Sequence, residues 1–124
     1  SEIYRAMDKI PEVKDSLIVC LEKEKGEFYM PLFVVTTKGK SLTDKLRKKI
    51  NSTIRADYSP RHVPDEIIQV PDIPYTISGK KTETTVKKVL MGRDPKQVVN
   101  FGALRDPESI DFFTEFYRTK KQIH

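Results

Sequence analysis

The chain has 124 residues, of which 37% are hydrophobic and 33% are charged, and its formal net charge is +5. This size allows one domain with a modest core and excludes two, while the positive charge favours anionic partners such as nucleic acid, a membrane surface or phosphorylated metabolites. No apolar run has membrane-spanning length and nothing resembles a signal peptide, so we expect a cytoplasmic protein that does not act at a membrane.

The first part of the chain is predicted to form a helix followed by an antiparallel hairpin. Apolar residues with helical spacing indicate a helix that Pro11 ends: Ile3, Ala6, Met7 and Ile10. Two apolar runs, at residues 17–21 and 28–35, flank a turn-like segment and predict the hairpin, with Pro31 at a free edge or a bulge. Cys20 is the single cysteine, so it forms no internal disulfide; it is predicted to be a buried, inert thiol, which fits a reducing compartment.

A second helix is predicted to begin at Ser41, which forms a capping pair with Asp44. Its apolar residues recur every four positions: Leu42, Leu46, Ile50 and Ile54. The other faces of this helix are basic, and such charges are usually solvated. A proline-containing link at residues 58–64 then leads to a short predicted strand at residues 66–70.

The last third of the chain predicts two more helices. The first covers residues 82–91 and ends at Gly92, with core contacts from Val86, Val89 and Leu90. Residues 93–104 lack a clear period and are predicted to wrap the surface. Asp106-Pro107-Glu108 has the composition of a helix start and opens a C-terminal extension at about residues 105–118. Its apolar residues are predicted to join the core or to dock on another domain: Ile110, Phe112, Phe113, Phe116 and Tyr117.

Together these elements predict an α+β fold in which a small, mostly antiparallel sheet is flanked by helices. Residues 1–124 are predicted to form a single domain. Because the chain does not start with methionine and begins within a helical pattern, we expect it to be a fragment of a longer protein.

Residues 71–81, here called the lysine turn, carry the strongest chemical signal in the sequence. Two prolines stiffen its entry, and Ser78 and Gly79 predict a sharp turn, because glycine adopts a positive φ without steric cost. That turn presents Lys80 outward, and an ammonium group positioned in advance suits electrostatic stabilisation of a phosphate. From these residues alone, it stays open that Lys80 and Lys81 are ordinary solvated charges.

Other kinds of site are disfavoured. One cysteine and two histidines, His62 and His124, cannot supply a zinc site, so no metal ligand is predicted. Ser59, His62 and Asp65 lie close together on a stiff link, which argues against a hydrolase triad, and His62 is predicted to make a structural hydrogen bond. A nucleic-acid-binding module is a weaker alternative, because aromatic residues do not interleave with the basic residues of the second helix: Lys45, Lys48, Lys49 and Arg55.

The whole chain resembles the C-terminal domain of the adenylate-forming acyl-CoA synthetases. The final core motif of that superfamily, commonly Pro-Lys-Thr-x-Ser/Asn-Gly-Lys, is similar to Pro74-Tyr75-Thr76-Ile77-Ser78-Gly79-Lys80. Ser1-Glu2-Ile3 looks like the end of the motif that joins the large and small domains. Tyr75 stands where many relatives have lysine, and Lys81 stands where an apolar residue is common.

Within this superfamily, the acetoacetyl-CoA synthetases are the subfamily that the chain resembles most. Three stretches carry this closer resemblance, at residues 59–67, 70–76 and 104–113, together with Gly79-Lys80-Lys81. The core motif alone would indicate only the superfamily, so the longer stretches and the C-terminal extension decide the subfamily. Members of that subfamily share Tyr75.

The resemblance implies a two-step ligase that uses ATP, CoA and Mg²⁺. A carboxylate and ATP first give an acyl-adenylate and pyrophosphate; the C-terminal domain then rotates, and the CoA thiol attacks the adenylate. Lys80 would serve the first step, with Ser78 and Gly79 positioning it. In acetyl-CoA synthetases an arginine about 25 residues before the lysine meets the CoA 3′-phosphate; counting back without a gap gives Arg55, although a solvated role stays open for it.

The resemblance also implies that acetoacetate, ATP and CoA bind mainly to a large N-terminal adenylation domain, so the chain alone is expected to be inactive. Two further alternatives remain: a synthetase for another short- or medium-chain acid, and a domain kept for interaction without chemistry.

Overall fold

The structure is a computed structural model that describes residues 2–120, so the predictions that concern Ser1 and His124 lie outside the described residues. Its strands are β1 (Val13–Ile18), β2 (Leu21–Glu22), β3 (Phe28–Tyr29), β4 (Pro31–Thr36) and β5 (Glu66–Gln69). One sheet has the order β1-β4-β5, in which β1 and β4 are antiparallel while β4 and β5 are parallel. A second, two-stranded sheet pairs β2 with β3 antiparallel. The predicted small, mostly antiparallel sheet is therefore confirmed.

Helices cover both faces of the three-stranded sheet. They are α1 (Glu2–Asp8), α2 (Asp44–Asp57), α3 (Glu83–Leu90), α4 (Pro95–Val98) and α5 (Asp111–Lys120). Buried residues of α1 and α2 form one apolar cluster with β4 and β5, and buried residues of α3 and α5 form another cluster on the opposite face. The result is a three-layer arrangement with the sheet in the middle.

The central strand β4 supplies both clusters, because side chains along a strand alternate between its two faces. Leu32 and Val34 pack toward α1 and α2, whereas Phe33 and Val35 belong to the cluster of α3 and α5. The Phe33 ring lies edge-on to Phe113, with ring centroids 4.8 Å apart. The predicted core role of the aromatic residues in the C-terminal extension is thus confirmed for Phe113, which is fully buried.

Pro31 does not lie where it was predicted. It is neither at a free edge nor at a bulge, but is the first residue of the central strand and is fully buried. A proline is tolerated there because the first residue of a strand can lack a ladder hydrogen bond. The predicted hairpin is real, and it divides beside Pro31 into the β1–β4 and β2–β3 ladders.

Two further local predictions were wrong. Cys20 is exposed instead of buried, because the alternation that buries Val19 and Leu21 turns the residue between them outward. The cap of α2 is Thr43 instead of Ser41: the Thr43 hydroxyl accepts a hydrogen bond from the backbone N–H of Leu46 at 3.1 Å. The apolar stripe predicted for this helix is buried throughout: Leu42, Leu46, Ile50 and Ile54.

The second half follows the predicted order with one addition. The helix predicted at residues 82–91 is α3, and Gly92 after it has a φ of +91°. The segment predicted to be irregular contains α4, whose first turn is capped by the Asp94 carboxylate, and it buries Val99 and Leu104. Asp106 caps a 3₁₀ turn that continues directly into α5, so the predicted start of the C-terminal extension is confirmed.

Candidate functional site

The lysine turn is closed by hydrogen bonds of its own backbone. The N–H of Thr76 donates to the carbonyl of Lys80 at 2.8 Å, and the N–H of Gly79 donates to the carbonyl of Thr76 at 2.9 Å. Gly79 has a φ of +90°, in the left-handed region that favours glycine. The Thr76 hydroxyl also accepts from the N–H of Lys80 and contacts the Ser78 hydroxyl at 2.9 Å. The sharp turn predicted at Ser78 and Gly79 is therefore present.

Asp15 on β1 ties both arms of this turn to the sheet. The Tyr75 hydroxyl donates to one Asp15 oxygen at 2.8 Å, and the Lys81 ammonium lies 3.3 Å from the other oxygen. Lys81 also donates to the Ser16 carbonyl at 2.6 Å, and its Nζ lies 3.5 Å from the centre of the Tyr4 ring. We call Asp15, Tyr75 and Lys81 the Asp15 clamp. The two positions that depart from the superfamily motif thus share one carboxylate.

Tyr4 extends these contacts to two helices. Its hydroxyl accepts from the N–H of Ile18 at 3.1 Å and donates to the Glu83 carboxylate in the first turn of α3 at 2.5 Å. Burial raises the pKa of the Tyr4 hydroxyl above its usual range, and the hydrogen bond to Glu83 raises it further. Burial likewise raises the pKa of Tyr75, followed by its hydrogen bond to Asp15. Both hydroxyls therefore stay protonated donors at neutral pH.

Residues 103–105, at the start of the C-terminal extension, form backbone hydrogen bonds with the lysine turn. The N–H of Ile77 donates to the Ala103 carbonyl at 2.8 Å, and the N–H of Arg105 donates to the Tyr75 carbonyl at 2.9 Å. Between these bonds, Thr76 and Leu104 form an antiparallel bridge. Because Leu104 is buried, residues 103–105 anchor the turn to the core.

Lys80 itself is exposed at the end of this supported turn. Within residues 2–120 it makes no ion pair, whereas its neighbour Lys81 is bound to β1. Ile77, on the same turn, is 67% exposed, which is unusual for a large apolar side chain and suits a surface that another body covers. An ammonium group placed in this way can approach an anion that a neighbouring domain presents.

Arg55 lies on a different element from Lys80. It is exposed in the last turn of α2, in the helical layer with α1, whereas the lysine turn leads into α3 in the other layer. The structure therefore does not join these two predicted site residues into one cluster. It leaves Arg55 accessible for a separate anion.

His62 makes the structural hydrogen bond predicted for it. Its Nδ1 lies 2.8 Å from the Ser59 hydroxyl, and its Nε2 lies 3.4 Å from the Glu2 carboxylate. Asp65 is occupied elsewhere, because its carboxylate accepts from the N–H of Met30 at 2.7 Å. Ser59, His62 and Asp65 thus make structural contacts.

No metal site is formed within the described part of the chain. Among residues 2–120, no three His, Cys, Asp or Glu side chains are grouped so that they could hold a metal ion. The helices within the same residues are all too short or too polar to cross a bilayer.

Sequence reasoning missed Asp15 and residues 103–105 as supports of the lysine turn. Asp15 carried a weak signal, since a carboxylate in a half-buried strand requires a partner. The tyrosine and the second lysine that depart from the superfamily motif were a second signal. Neither signal shows which residues contact each other, because Tyr75 and Asp15 are 60 residues apart in the sequence.

Comparison with known proteins assigns a family. The sequence model of the AMP-binding enzyme C-terminal domain matches residues 2–80. An acetoacetyl-CoA synthetase of Caenorhabditis elegans is 41% identical over 117 residues, or 94% of this chain, and one of Danio rerio is 43% identical over 113 residues, or 91% of it. Alignments of this length continue past the family match into the C-terminal extension.

Solved structures agree with this comparison. The acetoacetyl-CoA synthetase from Streptomyces lividans superposes with a TM-score of 0.88 at 40% identity over 96% of this chain. A Brucella canis acyl-CoA synthetase, at 23% identity and a TM-score of 0.63, shares the fold. The chain spans only 16–18% of the length of the three acetoacetyl-CoA synthetases named here. By its sequence match and its fold, this chain belongs to the AMP-binding enzyme C-terminal domain family.

Proposed function

We propose that this chain is the C-terminal domain of a ligase that converts acetoacetate, ATP and CoA to acetoacetyl-CoA, AMP and pyrophosphate. The observation that carries the proposal is an exposed Lys80, without an ion pair among residues 2–120, on a braced turn in a chain about 40% identical to acetoacetyl-CoA synthetases along nearly its whole length. ATP, acetoacetate and Mg²⁺ would bind mainly to a large N-terminal domain, in the cytoplasm. Alone, the chain would be inactive.

In the first step, Lys80 would stabilise the negative charge that develops on the α-phosphate and carboxylate oxygens. The Asp15 clamp and residues 103–105 fix the backbone on both sides of the turn tip, so the Cα atom of Lys80 is held in place while its side chain can extend toward the anion. A single donor of this kind contributes about 3–4 kcal/mol of transition-state stabilisation. Ser78 and Gly79 would shape the turn without contacting substrate.

In the second step, a different face of the domain would bind CoA. Arg55 is exposed, and its guanidinium has the forked donors that suit a phosphate dianion. We therefore assign it to the CoA 3′-phosphate. The separation of Arg55 and Lys80 on different elements is consistent with a domain that presents one face in each half-reaction.

The substrate assignment is tested with the complete protein that contains this chain. Acid-dependent exchange between ATP and pyrophosphate is measured for acetoacetate, acetate, butyrate and 3-hydroxybutyrate. We expect the highest kcat/KM with acetoacetate. A clear preference for another acid would overturn the acetoacetate assignment and favour a synthetase for that acid.

The role of Lys80 is tested by separating the two half-reactions. Lys80→Ala should lower adenylate formation by about 10²–10³-fold and leave thioester formation from supplied acyl-adenylate near the wild-type rate. Lys88→Ala, which removes a charge from the neighbouring helix α3, is the control. Equal loss of both half-reactions in Lys80→Ala would contradict the assigned role.

A further inference from the structure

Arg105 places a second positive charge beside the lysine turn. Its guanidinium carbon lies 5.5 Å from the centre of the Tyr75 ring, and its backbone N–H is bonded to the Tyr75 carbonyl. A methyl group built on Gly79 would lie 3.4 Å from Nη2 of Arg105. The guanidinium therefore packs against the tip of the turn, next to the residue that precedes Lys80.

The structure shows no acidic partner for this guanidinium in the part of the chain that it describes. Arg105 is exposed and makes no ion pair with any of residues 2–120. The carboxylate of the next residue, Asp106, is used as the cap of the following turn, where it accepts from the N–H of Glu108 at 3.2 Å. Arg105 and Lys80 thus supply two positive charges at the tip of the turn, and an anion bound there would be attracted by both.

We propose that Arg105 is a second phosphate-binding residue, which contacts the polyphosphate of ATP beside Lys80 during adenylate formation; this rests on the function proposed for Lys80. The backbone hydrogen bond of Arg105 fixes its main chain beside the turn, and the Tyr75 ring supports the guanidinium. A planar, forked donor suits phosphate oxygens better than a second ammonium would.

Arg105 lies outside the part of the chain that the family model matches, which ends at residue 80. It is the first residue of the C-terminal extension, and Leu104 directly before it forms the bridge to Thr76. The extension would therefore supply a charge to the nucleotide site in addition to bracing the turn.

The test uses the complete protein and three variants. Arg105→Met keeps an unbranched side chain over Tyr75 but removes the charge, Arg105→Lys keeps the charge, and Arg93→Met removes an exposed arginine elsewhere as the control. The KM for ATP and kcat are measured in acetoacetate-dependent exchange between ATP and pyrophosphate. Thioester formation from supplied acyl-adenylate is measured in parallel and reports whether the domain is intact.

We expect Arg105→Met to raise the KM for ATP about tenfold or more. Arg105→Lys should raise it by a smaller factor, because the positive charge stays while the forked donor is lost. Arg93→Met should match the wild type, and thioester formation should be unchanged in all three variants. A wild-type KM for ATP in Arg105→Met, or equal losses in the Met and Lys variants, would overturn the inference. If Lys80→Ala still blocks adenylate formation in that case, only the role of Arg105 fails; if it does not, the proposed function fails.

Discussion

Lys80 and Lys81 are neighbours in the sequence but have opposite environments. Lys81 is largely buried, donates to the Ser16 carbonyl at 2.6 Å and pairs with Asp15, whereas Lys80 is exposed and unpaired within residues 2–120. One lysine thus fixes the turn to the sheet, and the other is left available for an anion.

This difference predicts opposite effects on stability. Lys81→Met should lower the free energy of unfolding by about 1–3 kcal/mol, because it removes the partner of the Ser16 carbonyl and leaves the Asp15 charge without its cation. Lys80→Met should change it by less than about 0.5 kcal/mol, as is usual for an exposed residue. Urea unfolding followed by circular dichroism checks both values. Equal destabilisation by the two variants would contradict this account.

Asp15→Asn should lower the rate of adenylate formation by about tenfold and spare thioester formation in the complete protein. The amide can still accept from Tyr75, but it no longer attracts the Lys81 ammonium, so the tip of the turn becomes less well positioned. Stopped-flow measurement of each half-reaction checks this. Asp8→Asn, at an exposed position of α1, is the control and should behave like the wild type.

Arg55→Ala should raise the KM for CoA in thioester formation and leave the KM for ATP unchanged. The matched control is 3′-dephospho-CoA, which lacks the group that Arg55 is proposed to bind. Wild type and variant should therefore differ with CoA, by about tenfold for one charge-assisted contact, and should be similar with 3′-dephospho-CoA. An equal effect on both substrates would remove Arg55 from the phosphate site.

Gly92→Ala should be more destabilising than Gly26→Ala. Both glycines have a positive φ, so both substitutions incur a backbone penalty of about 1 kcal/mol. Only at Gly92 would the added carbon meet another side chain, at 2.6 Å from the Tyr117 hydroxyl, whereas nothing lies within 4 Å of it at Gly26. Comparing the urea midpoints of the two variants isolates the clash, and similar midpoints would show that Tyr117 moves away without cost.

Stability should decline in alkaline solution. Burial, followed by hydrogen bonds to carboxylates, raises the pKa of three tyrosines: Tyr4, Tyr29 and Tyr75. The unfolded chain releases these protons near pH 10, while the folded chain keeps them, so their contribution is complete below about pH 10 and is lost as the pH rises further. Urea midpoints measured across this range should fall, with a shallower slope in Tyr75→Phe. Unchanged midpoints up to about pH 11 would contradict the prediction.

Features that depend on neighbouring residues could be predicted from the sequence. The stripe from Leu42 to Ile54, the sharp turn at Gly79 and the helix start at Asp106 each follow from local periodicity or backbone preference. Ser41 and Thr43 both have a hydroxyl that can cap a helix. The sequence does not show which of them caps α2, because the cap is the residue whose hydroxyl faces the first free N–H groups.

Features that depend on distant residues could not be predicted. The parallel pairing of β4 with β5 and the contact of Asp15 with Tyr75 join segments more than 30 residues apart, and nothing in either segment specifies its partner. The exposure of Cys20 could not be predicted for the same reason. An apolar run does not show which of its residues other parts of the chain cover.

The bridge between Thr76 and Leu104 also affects how another domain can dock. Residues 75–77 form backbone hydrogen bonds or bridges with residues 80–81 on one side and with residues 103–105 on the other, so their backbone is paired on both sides. Backbone groups already used in this way cannot be extended by β-augmentation from a partner. A domain that closes over Lys80 therefore cannot add a strand to this segment, so it can separate again without breaking a sheet shared at residues 75–77.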